Sequence, residues 1–394
     1  MLAVTFAAMN LESAPLLGLA PLQRVMLWNS HASGGAGHHV EQVEMVLARD
    51  FSGECVAAAW QATVARTEVL RIAFLTSNGM PVGLEWVSRQ RPMEQEHAEP
   101  PSWELWLAAD RLRPLLAPHE VPWRAVYWPG ARRFVWTFHH ALLDGRSIAR
   151  ILRGFLARLT GQDADDLALS RWCEPSPEVV AAAVKMFRKM PVIAASVTLD
   201  LPPELDGLAV RCLGNAFASR LDSLAAAAQV TAATILTWAW GQALAETNGT
   251  ASVLAEQLRA GPPQLGTAGF TMNTLPVVIH RAAAGEVATD LRKLHSRLRA
   301  MREIEAVSPD DFPPGVFPDV DAPGSSVIMI ERGTLQHLAA GEKVESLVLH
   351  ESKGTTLMAT AYLLPDLRLE VEGPGRHQLL ESWLRILDRE IHLA

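Results

Sequence analysis

The sequence predicts an α/β (α+β) fold made of two similar lobes, and three observations carry this prediction. Segments with helical apolar spacing alternate along the chain with short runs that approach period two, which is typical of mixed sheets with flanking helices. A polar, acidic, proline-containing segment at 162–177 divides this pattern into two halves. The 394 residues, 49% of them hydrophobic, allow two substantial cores. We therefore expect an N-terminal lobe at 1–170 and a C-terminal lobe at 171–394.

The elements of the first half follow from local patterning. Pro21 suits the first turn of a helix, where its missing N–H costs nothing. Residues 40–48 approach the alternation of a strand. The apolar runs at 124–128 and 134–139 flank a Pro-Gly turn, which predicts an antiparallel hairpin. Helices are predicted at 21–30, 54–66 and 147–159, with a further strand at 69–75.

The second half repeats this mixture of elements. Long amphipathic runs predict helices at 179–190, 221–227, 232–246, 288–305 and 377–391. Shorter apolar runs predict strands at 252–259, 269–279, 326–331, 345–350, 357–364 and 368–372.

Composition and charge exclude several classes of function. The net charge of −8 offers no basic surface to a nucleic acid and argues against an anionic membrane as the main ligand. Three widely spaced cysteines suit neither a metal cluster nor a disulfide framework, so we expect a reducing, cytoplasmic setting. No run approaches ~20 uninterrupted apolar residues, and the N-terminus lacks a basic start. We therefore expect neither a membrane-spanning helix nor a signal peptide.

The most informative segment places two histidines at the end of an apolar strand. His139 and His140 are followed by three apolar residues, then Asp144 and Gly145, and then a helix that includes Ser147. Adjacent strand residues point to opposite faces, so at most one histidine can face a given cleft. Asp144 with Gly145 is a turn signal. The motif therefore predicts either two core histidines beside a helix cap or an exposed imidazole poised for chemistry.

An imidazole at this position suits acyl transfer by direct attack on a thioester. A histidine with a pKa near neutrality can take the proton of an attacking amine or hydroxyl. The sequence has no G-x-S-x-G elbow and no cysteine near the histidines, so no covalent nucleophile is indicated. The other histidines show no metal-binding spacing, and we expect no metal site.

Four segments in order resemble the condensation-domain superfamily of nonribosomal peptide synthetases, which is related to chloramphenicol acetyltransferase. The core segment is HHxxxDG, and the others resemble the opening helix, the "R-H-x-x-L-R-T-x-F" segment and the "G-x-F-x-N-T-L-P" segment of these domains. In this sequence the four segments occupy 20–28, 66–74, 139–147 and 266–276. The "Y-P-F/L" and "Y-x-x-x-L-F-D" stretches of the family have no match here, which leaves acceptor choice open.

The resemblance implies a role for each residue of the site. The fold would be two chloramphenicol-acetyltransferase-like lobes in a V-shaped pseudo-dimer with a central tunnel. His140 would be the catalytic base in the tunnel, and His139 would point into the fold. Asp144 would hold the loop through an ion pair with an arginine, which by position is Arg259, and Gly145 would supply the turn. A further residue, Asn273, would support the backbone beside the tunnel.

The resemblance also implies donors and partners. The donor would be a thioester on the 4′-phosphopantetheine arm of an acyl or peptidyl carrier protein acting in trans, or on coenzyme A, with no bound cofactor. The acceptor would be a small amine or alcohol. We expect a free-standing, monomeric enzyme that forms an amide. The alternatives are an ester-forming O-acyltransferase and a non-catalytic domain that recruits partners.

Overall fold

Two β-sheets with helices packed against them make up the part of the chain that the computed structural model describes. That part comprises residues 18–34, 37–77, 80–87, 91–188, 207–261, 264–282, 286–308, 311–312, 326–333, 335, 338, 342–351, 357–364 and 366–393. Within these ranges, no helix is long and apolar enough to cross a lipid bilayer.

Most of the α-helices begin at residues that can satisfy the free N–H groups of a first turn. At five helix starts, the side chain of the cap residue accepts a hydrogen bond from a backbone N–H. The cap residues are Ser52, Ser102, Asp144, Ser176 and Thr231. The helices are α1 (Pro21–Ala32), α2 (Gly53–Ala65), α3 (Trp103–Arg111), α4 (Gly145–Leu159), α5 (Pro177–Phe187), α6 (Asn215–Ala228), α7 (Ala232–Asn248), α8 (Val287–Ala300) and α9 (Arg376–Leu393).

The strands form two large sheets and two short pairings. The strands are β1 (Val40–Leu47), β2 (Ile72–Ser77), β3 (Met80–Trp86), β4 (Glu94–Gln95), β5 (Trp123–Trp128), β6 (Arg133–His139), β7 (Ala168–Leu169), β8 (Leu208–Leu213), β9 (Ser252–Arg259), β10 (Thr267–Ala268), β11 (Asn273–His280), β12 (Ser326–Glu331), β13 (Val344–Glu351), β14 (Met358–Tyr362) and β15 (Leu367–Glu372). The first sheet has the order β13-β1-β6-β5-β4, and the second has the order β11-β9-β12-β14-β15-β8.

The first sheet contains one strand from the second half of the chain. Strand β13 pairs antiparallel with β1, with Glu351 opposite Glu41. A second link between the halves is the parallel pairing of β7 with β10, which falls within the acidic segment expected to separate the lobes. The two halves are therefore joined by backbone hydrogen bonds as well as by side chains. The boundary near residue 170 stays a prediction.

Each sheet packs its own aromatic core against two helices. In the first core, Trp60 of α2 lies 5.3 Å from Trp136 and 5.4 Å from Phe155 of α4, measured between ring centroids. In the second core, Trp240 of α7 lies 5.2 Å from Trp383 of α9. Burying a side chain of this size stabilises the fold by about 1.5–3 kcal/mol. The packing of α4 on the first sheet holds the histidine motif in place.

The predicted elements largely agree with the observed ones, with a few differences. The strand predicted at 69–75 begins with a 3₁₀ turn, Glu68–Arg71, before β2. The helix predicted at 288–305 changes to a 3₁₀ turn after Ala300. Strands β3 and β8 and helix α3 were not predicted. The helix predicted at 179–190 ends at Phe187 as an α-helix, and its last two residues lie outside the described part of the chain.

The strand predicted at 269–279 begins only at Asn273 because the preceding residues pack on α4. The carbonyl of Gly269 accepts hydrogen bonds from the Asp144 N–H at 3.1 Å and from the Ser147 hydroxyl at 2.8 Å. The Gly269 N–H donates to the same hydroxyl at 2.9 Å. These contacts hold a segment of the second half against the histidine motif.

Candidate functional site

The histidine motif lies where β6 ends and α4 begins. His139 is the last residue of β6 and pairs with Val40 of β1. Residues His140–Leu142 form a 3₁₀ turn, and Asp144 caps α4. The strand end and the turn together send the two adjacent histidine side chains into different surroundings, as the alternation of a strand requires.

His139 is buried and fully engaged inside the fold. Its Nδ1 accepts the Ala141 N–H at 3.2 Å, so the ring proton lies on Nε2, which is 2.9 Å from the Ser30 hydroxyl oxygen. The Ser30 hydroxyl in turn donates to the carbonyl of His38. Burial, together with the nearby rings of His39 and His140, lowers the pKa of His139 to about 3. The ring is therefore neutral and held in one tautomer.

His140 is anchored through one ring nitrogen and is partly accessible. Its Nδ1 lies 2.9 Å from Oε1 of Glu41, and its side chain is 21% exposed. The ring meets Phe270 edge-on, with centroids 5.8 Å apart. Within the described residues, Nε2 has no hydrogen-bond partner, so it is the ring atom open to a substrate.

The protonation of His140 is governed by carboxylates. Burial disfavours the charged ring, but the charge of Glu41, its contact with the ring and the charge of Glu351 outweigh burial and raise the pKa of His140 to about 9. At neutral pH the resting pair is therefore an imidazolium beside a carboxylate. The ring must release its proton before it can act as a base.

Asp144 holds the loop to the second half of the chain through neutral partners. Its Oδ1 accepts the Ser147 N–H at 2.9 Å, and its Oδ2 accepts the Thr271 hydroxyl at 3.2 Å. The side chain is buried, at 4% exposure. Its contacts stabilise the start of α4 and tie the motif to the segment before β11.

The arginine pair that the resemblance suggested for Asp144 is not formed with Arg259. Arg259 instead lies 3.0 Å from Glu305 through its Nε, and it donates to Gln257 and to the carbonyl of Leu298. No arginine forms an ion pair with Asp144 within the described ranges. Asp144 is instead bonded by the Ser147 N–H and the Thr271 hydroxyl.

Gly145 starts helix α4, and Asn273 starts strand β11. Gly145 is the first residue of α4, with a helical backbone and open space beside its Cα, so neither crowding nor a left-handed conformation requires a glycine. The tight turn expected from Gly145 is made by His140–Leu142 instead. Asn273 donates to the carbonyls of Glu305 and Val307 at 2.9 and 2.8 Å, which fixes the segment after α8.

Two residues of the site were not predicted from the sequence. Glu41 was assigned only to a strand, although it stands in an alternating run that places it on one face of β1. Phe270 lies in a segment that was quoted for its resemblance and not for contact with the histidine. A small cavity of about 60 Å³ lies behind Phe270, lined mainly by apolar residues that include Leu142 and Leu169. Over the ranges described, no three histidine, cysteine or acidic side chains converge as a metal site would require.

Sequence comparison with curated proteins finds peptide synthetases. No family model matches the chain. One protein of the linear gramicidin synthase of Brevibacillus parabrevis is 28% identical over 325 residues, which cover 73% of this chain and 4% of that protein. Nonribosomal peptide synthetase 32 of Fusarium pseudograminearum (strain CS3096) is 31% identical over 126 residues, or 32% of this chain and 1% of that protein. The chain thus spans only a small part of the length of these relatives.

Comparison with solved structures finds condensation domains with a similar fold. The condensation domain of the Monacolin K polyketide synthase MokA has a TM-score of 0.74 at 15% identity, covering 96% of this chain and 98% of that one. The first condensation domain of the calcium-dependent antibiotic synthetase, in complex with substrate analogue 3a, has a TM-score of 0.70 at 16% identity, covering 97% of both chains. The chain is thus similar in sequence to nonribosomal peptide synthetases, and it has the fold of solved condensation domains. The predicted mixed α/β fold is confirmed.

Proposed function

We propose that this chain is a condensation domain that transfers an acyl or aminoacyl group from a thioester to an amine and forms an amide. The observation that best supports this function is the imidazole of His140, anchored through Nδ1 by Glu41 at 2.9 Å and partly exposed. A ring held through one nitrogen presents the other to a substrate in a single orientation, as a catalytic base must. The donor is a thioester on the phosphopantetheine arm of a carrier protein, or on coenzyme A.

The proposed reaction needs no covalent intermediate on the protein. The acceptor nitrogen attacks the thioester carbonyl, a C–N bond forms, and the C–S bond breaks. Nε2 of neutral His140 takes the proton that the nitrogen loses and delivers it to the departing thiolate. Each turnover therefore returns the histidine to its starting state and releases an amide and a thiol.

The pairing with Glu41 has two consequences for this role. The high pKa of His140 makes the ring a strong base, but only a small fraction of it is neutral at pH 7. After the proton transfer, the Glu41 carboxylate stabilises the imidazolium that forms. A carboxylate behind a catalytic imidazole acts in the same way in other enzymes that use a histidine base.

The function is tested by intact-mass spectrometry. Acyl-loaded carrier protein, supplied as a separate chain, or acyl-coenzyme A is mixed with the wild type or with His140→Ala and with matched amines and alcohols. His392→Ala, an exposed position on α9, is the control. Unloading that depends on His140 and yields the amide mass supports the proposal.

Other outcomes assign the chain differently. An ester mass from the alcohols alone would select the O-acyltransferase alternative. A folded wild type that unloads no donor would favour a recruiting role and contradict the proposal.

A further inference from the structure

The segment that leads into β1 contains a histidine with a left-handed backbone. His39 has a φ of 52° and directly precedes Val40, the first residue of β1. Residues other than glycine seldom adopt this region, because their Cβ crowds the backbone there. Strained residues of this kind are concentrated at functional sites. His39 is also buried, at 9% exposure, so the contacts around it show what the strained conformation maintains.

The main chain of His39 binds the main chain of His140. The His140 N–H donates to the His39 carbonyl at 2.6 Å. The pairing of Val40 with His139 places His39 opposite His140, so this bond extends the β1–β6 ladder by one residue pair beyond the end of β6. The bond therefore holds the backbone of His140 against the start of β1 after its own strand has ended.

A second bond is made just before His39. The Ser30 hydroxyl of α1 donates to the His38 carbonyl at 3.1 Å, and the same oxygen lies 2.9 Å from Nε2 of His139. The carbonyls of His38 and His39 stand on either side of the bond whose rotation is the φ of His39. An extended φ of about −120° would rotate the two carbonyls relative to each other, away from the arrangement that serves Ser30 and His140 together.

The same segment also anchors the ring of His140. Glu41, two residues after His39, contacts Nδ1 of the ring at 2.9 Å. The backbone of His140 is thus bound by residue 39 and its side chain by residue 41. Two anchors at the start of one strand determine both the position and the orientation of the imidazole, which proton transfer over a hydrogen-bond distance requires.

The ring of His39 is not the part that contacts His140. The contact is made by a main-chain carbonyl, which every residue type has. The His39 ring lies 6.3 Å from the ring of His139, measured between centroids. Burial and the nearby charge of His140 lower the pKa of His39 to about 4, so the ring is neutral at neutral pH. The residue type at position 39 therefore matters through the backbone conformation that it permits.

We propose that His39 is a positioning residue for His140, because its left-handed backbone joins the bond at Ser30 to the bond at His140 and so holds the imidazole on Glu41. This inference rests on the proposed function, since it concerns the histidine to which that function assigns the proton transfer. Glycine and asparagine accept the left-handed region, whereas a β-branched residue opposes it. The role predicts an order of substitutions that follows backbone preference and not ring chemistry.

Three variants of residue 39 test the proposal, and all of them lack the imidazole. They are His39→Gly, His39→Asn and His39→Val. His39→Val should reduce thioester unloading by about 10- to 100-fold, since misplacing a catalytic group by about 1 Å can cost about 100-fold. His39→Gly and His39→Asn should retain most of the turnover.

An NMR titration of the His140 ring measures its placement without donor or acceptor. In the wild type the Glu41 carboxylate, acting against burial, raises the pKa of His140 to about 9. His39→Val should lower this pKa by about one unit or more, because a displaced ring loses its contact with the carboxylate. His39→Gly and His39→Asn should keep it high. The three variants retain the other titratable groups around the ring, which are Glu41, Glu351, His38 and His139.

The matched control is Gln229→Val. Gln229 follows α6 with a φ of 58° and is exposed, so valine meets the same backbone strain at a different place. This control should lower the melting temperature and leave unloading and the pKa of His140 unchanged. If His39→Val does not fold, His39→Ala with Gln229→Ala as its control makes the same comparison with a smaller side chain.

Three outcomes would overturn the inference. Glycine and asparagine variants as impaired as the valine variant would show that the His39 ring matters and not the backbone. A valine variant that loses only melting temperature, as the control does, would reduce His39 to a structural residue. A valine variant with wild-type turnover and an unchanged His140 pKa would exclude any positioning role. If the wild type unloads no donor, the proposed function fails, and the NMR titration still decides whether His39 positions His140.

Discussion

Oε1 of Glu41 lies 2.9 Å from Nδ1 of His140, and this contact joins the first strand of the first sheet to the turn that follows its central hairpin. The contact leaves Nε2 as the ring nitrogen without a partner among the described residues, and it raises the pKa of the ring. The two histidines of the motif therefore differ in charge at neutral pH: the pKa of His139 is lowered to about 3, and that of His140 is raised to about 9. At neutral pH the His139 ring is therefore buried and neutral, and the His140 ring is charged and partly exposed.

Removal of the His140 imidazole should reduce acyl transfer by roughly 10²–10⁴-fold, the usual effect of losing a general base. His140→Ala should keep its fold, because the backbone N–H of residue 140 still donates to the carbonyl of His39. Single-turnover unloading and circular dichroism check both points. Near-normal turnover in a folded variant would reject the base role.

Glu41→Gln should shift the pH dependence of acyl transfer. The wild-type rate should rise with pH through an apparent pKa near 9, because only the neutral ring accepts a proton. Loss of the carboxylate leaves burial dominant, so the midpoint should fall by roughly two units or more. The variant keeps the other titratable groups near His140, which are Glu351, His39 and His139. Glu41→Asp should keep the high midpoint with a lower rate, and a midpoint unmoved in Glu41→Gln would remove Glu41 from this role.

Asp144→Ala should act mainly on stability. It removes the cap of α4 and the acceptor of the Thr271 hydroxyl, which together should lower the free energy of unfolding by about 2–4 kcal/mol. Urea denaturation measures the loss, and Ser176→Ala, which removes the exposed cap of α5, should cost only about 1 kcal/mol. If stability is unchanged while turnover is lost, Asp144 acts directly in the chemistry.

The pairing of Arg259 with Glu305 predicts a specific energetic coupling. Arg259→Met should destabilise the fold by roughly 2–4 kcal/mol, because it leaves a largely buried Glu305 without its cation. A double-mutant cycle with Glu305→Gln should show a coupling of about 1–3 kcal/mol, and a cycle with Asp144→Asn about 0.5 kcal/mol or less. A larger coupling of Arg259 to Asp144 than to Glu305 would support the ion pair between Arg259 and Asp144.

The buried neutral state of His139 should make the fold sensitive to acid. Its pKa is about 3 in the folded chain and near 6.5 when unfolded, so only the unfolded state binds the proton between these values. This contribution to stability is complete above pH 6.5 and is lost as the pH falls towards 3. Between pH 6 and 4, the free energy of unfolding of the wild type should fall more steeply than that of His139→Gln, by about 1.4 kcal/mol per pH unit. Parallel curves from urea titrations would contradict this role.

Local patterning was sufficient for most elements and for the motif. The strand that ends at His139, the turn and helix α4 follow from an apolar run, a turn signal and a helical repeat, each of which spans only a few residues. The misplaced elements are those in which distant contacts override local preference. The strand at 269–279 is shortened because Gly269 bonds to α4. Strands β3 and β8 pair with β2 and β15, which are separate in the chain from the residues that form them.

The sequence by itself determined the family resemblance, the α/β class and the position of the histidine motif, because these depend on residues that are neighbours in the chain. Only the tertiary structure decided that Glu41 meets His140, that Arg259 meets Glu305 and not Asp144, and that β13 joins the first sheet. Such contacts depend on strand register and on the packing of residues far apart in sequence, and no local pattern encodes them. The charge of the His140 ring is a property of that packing.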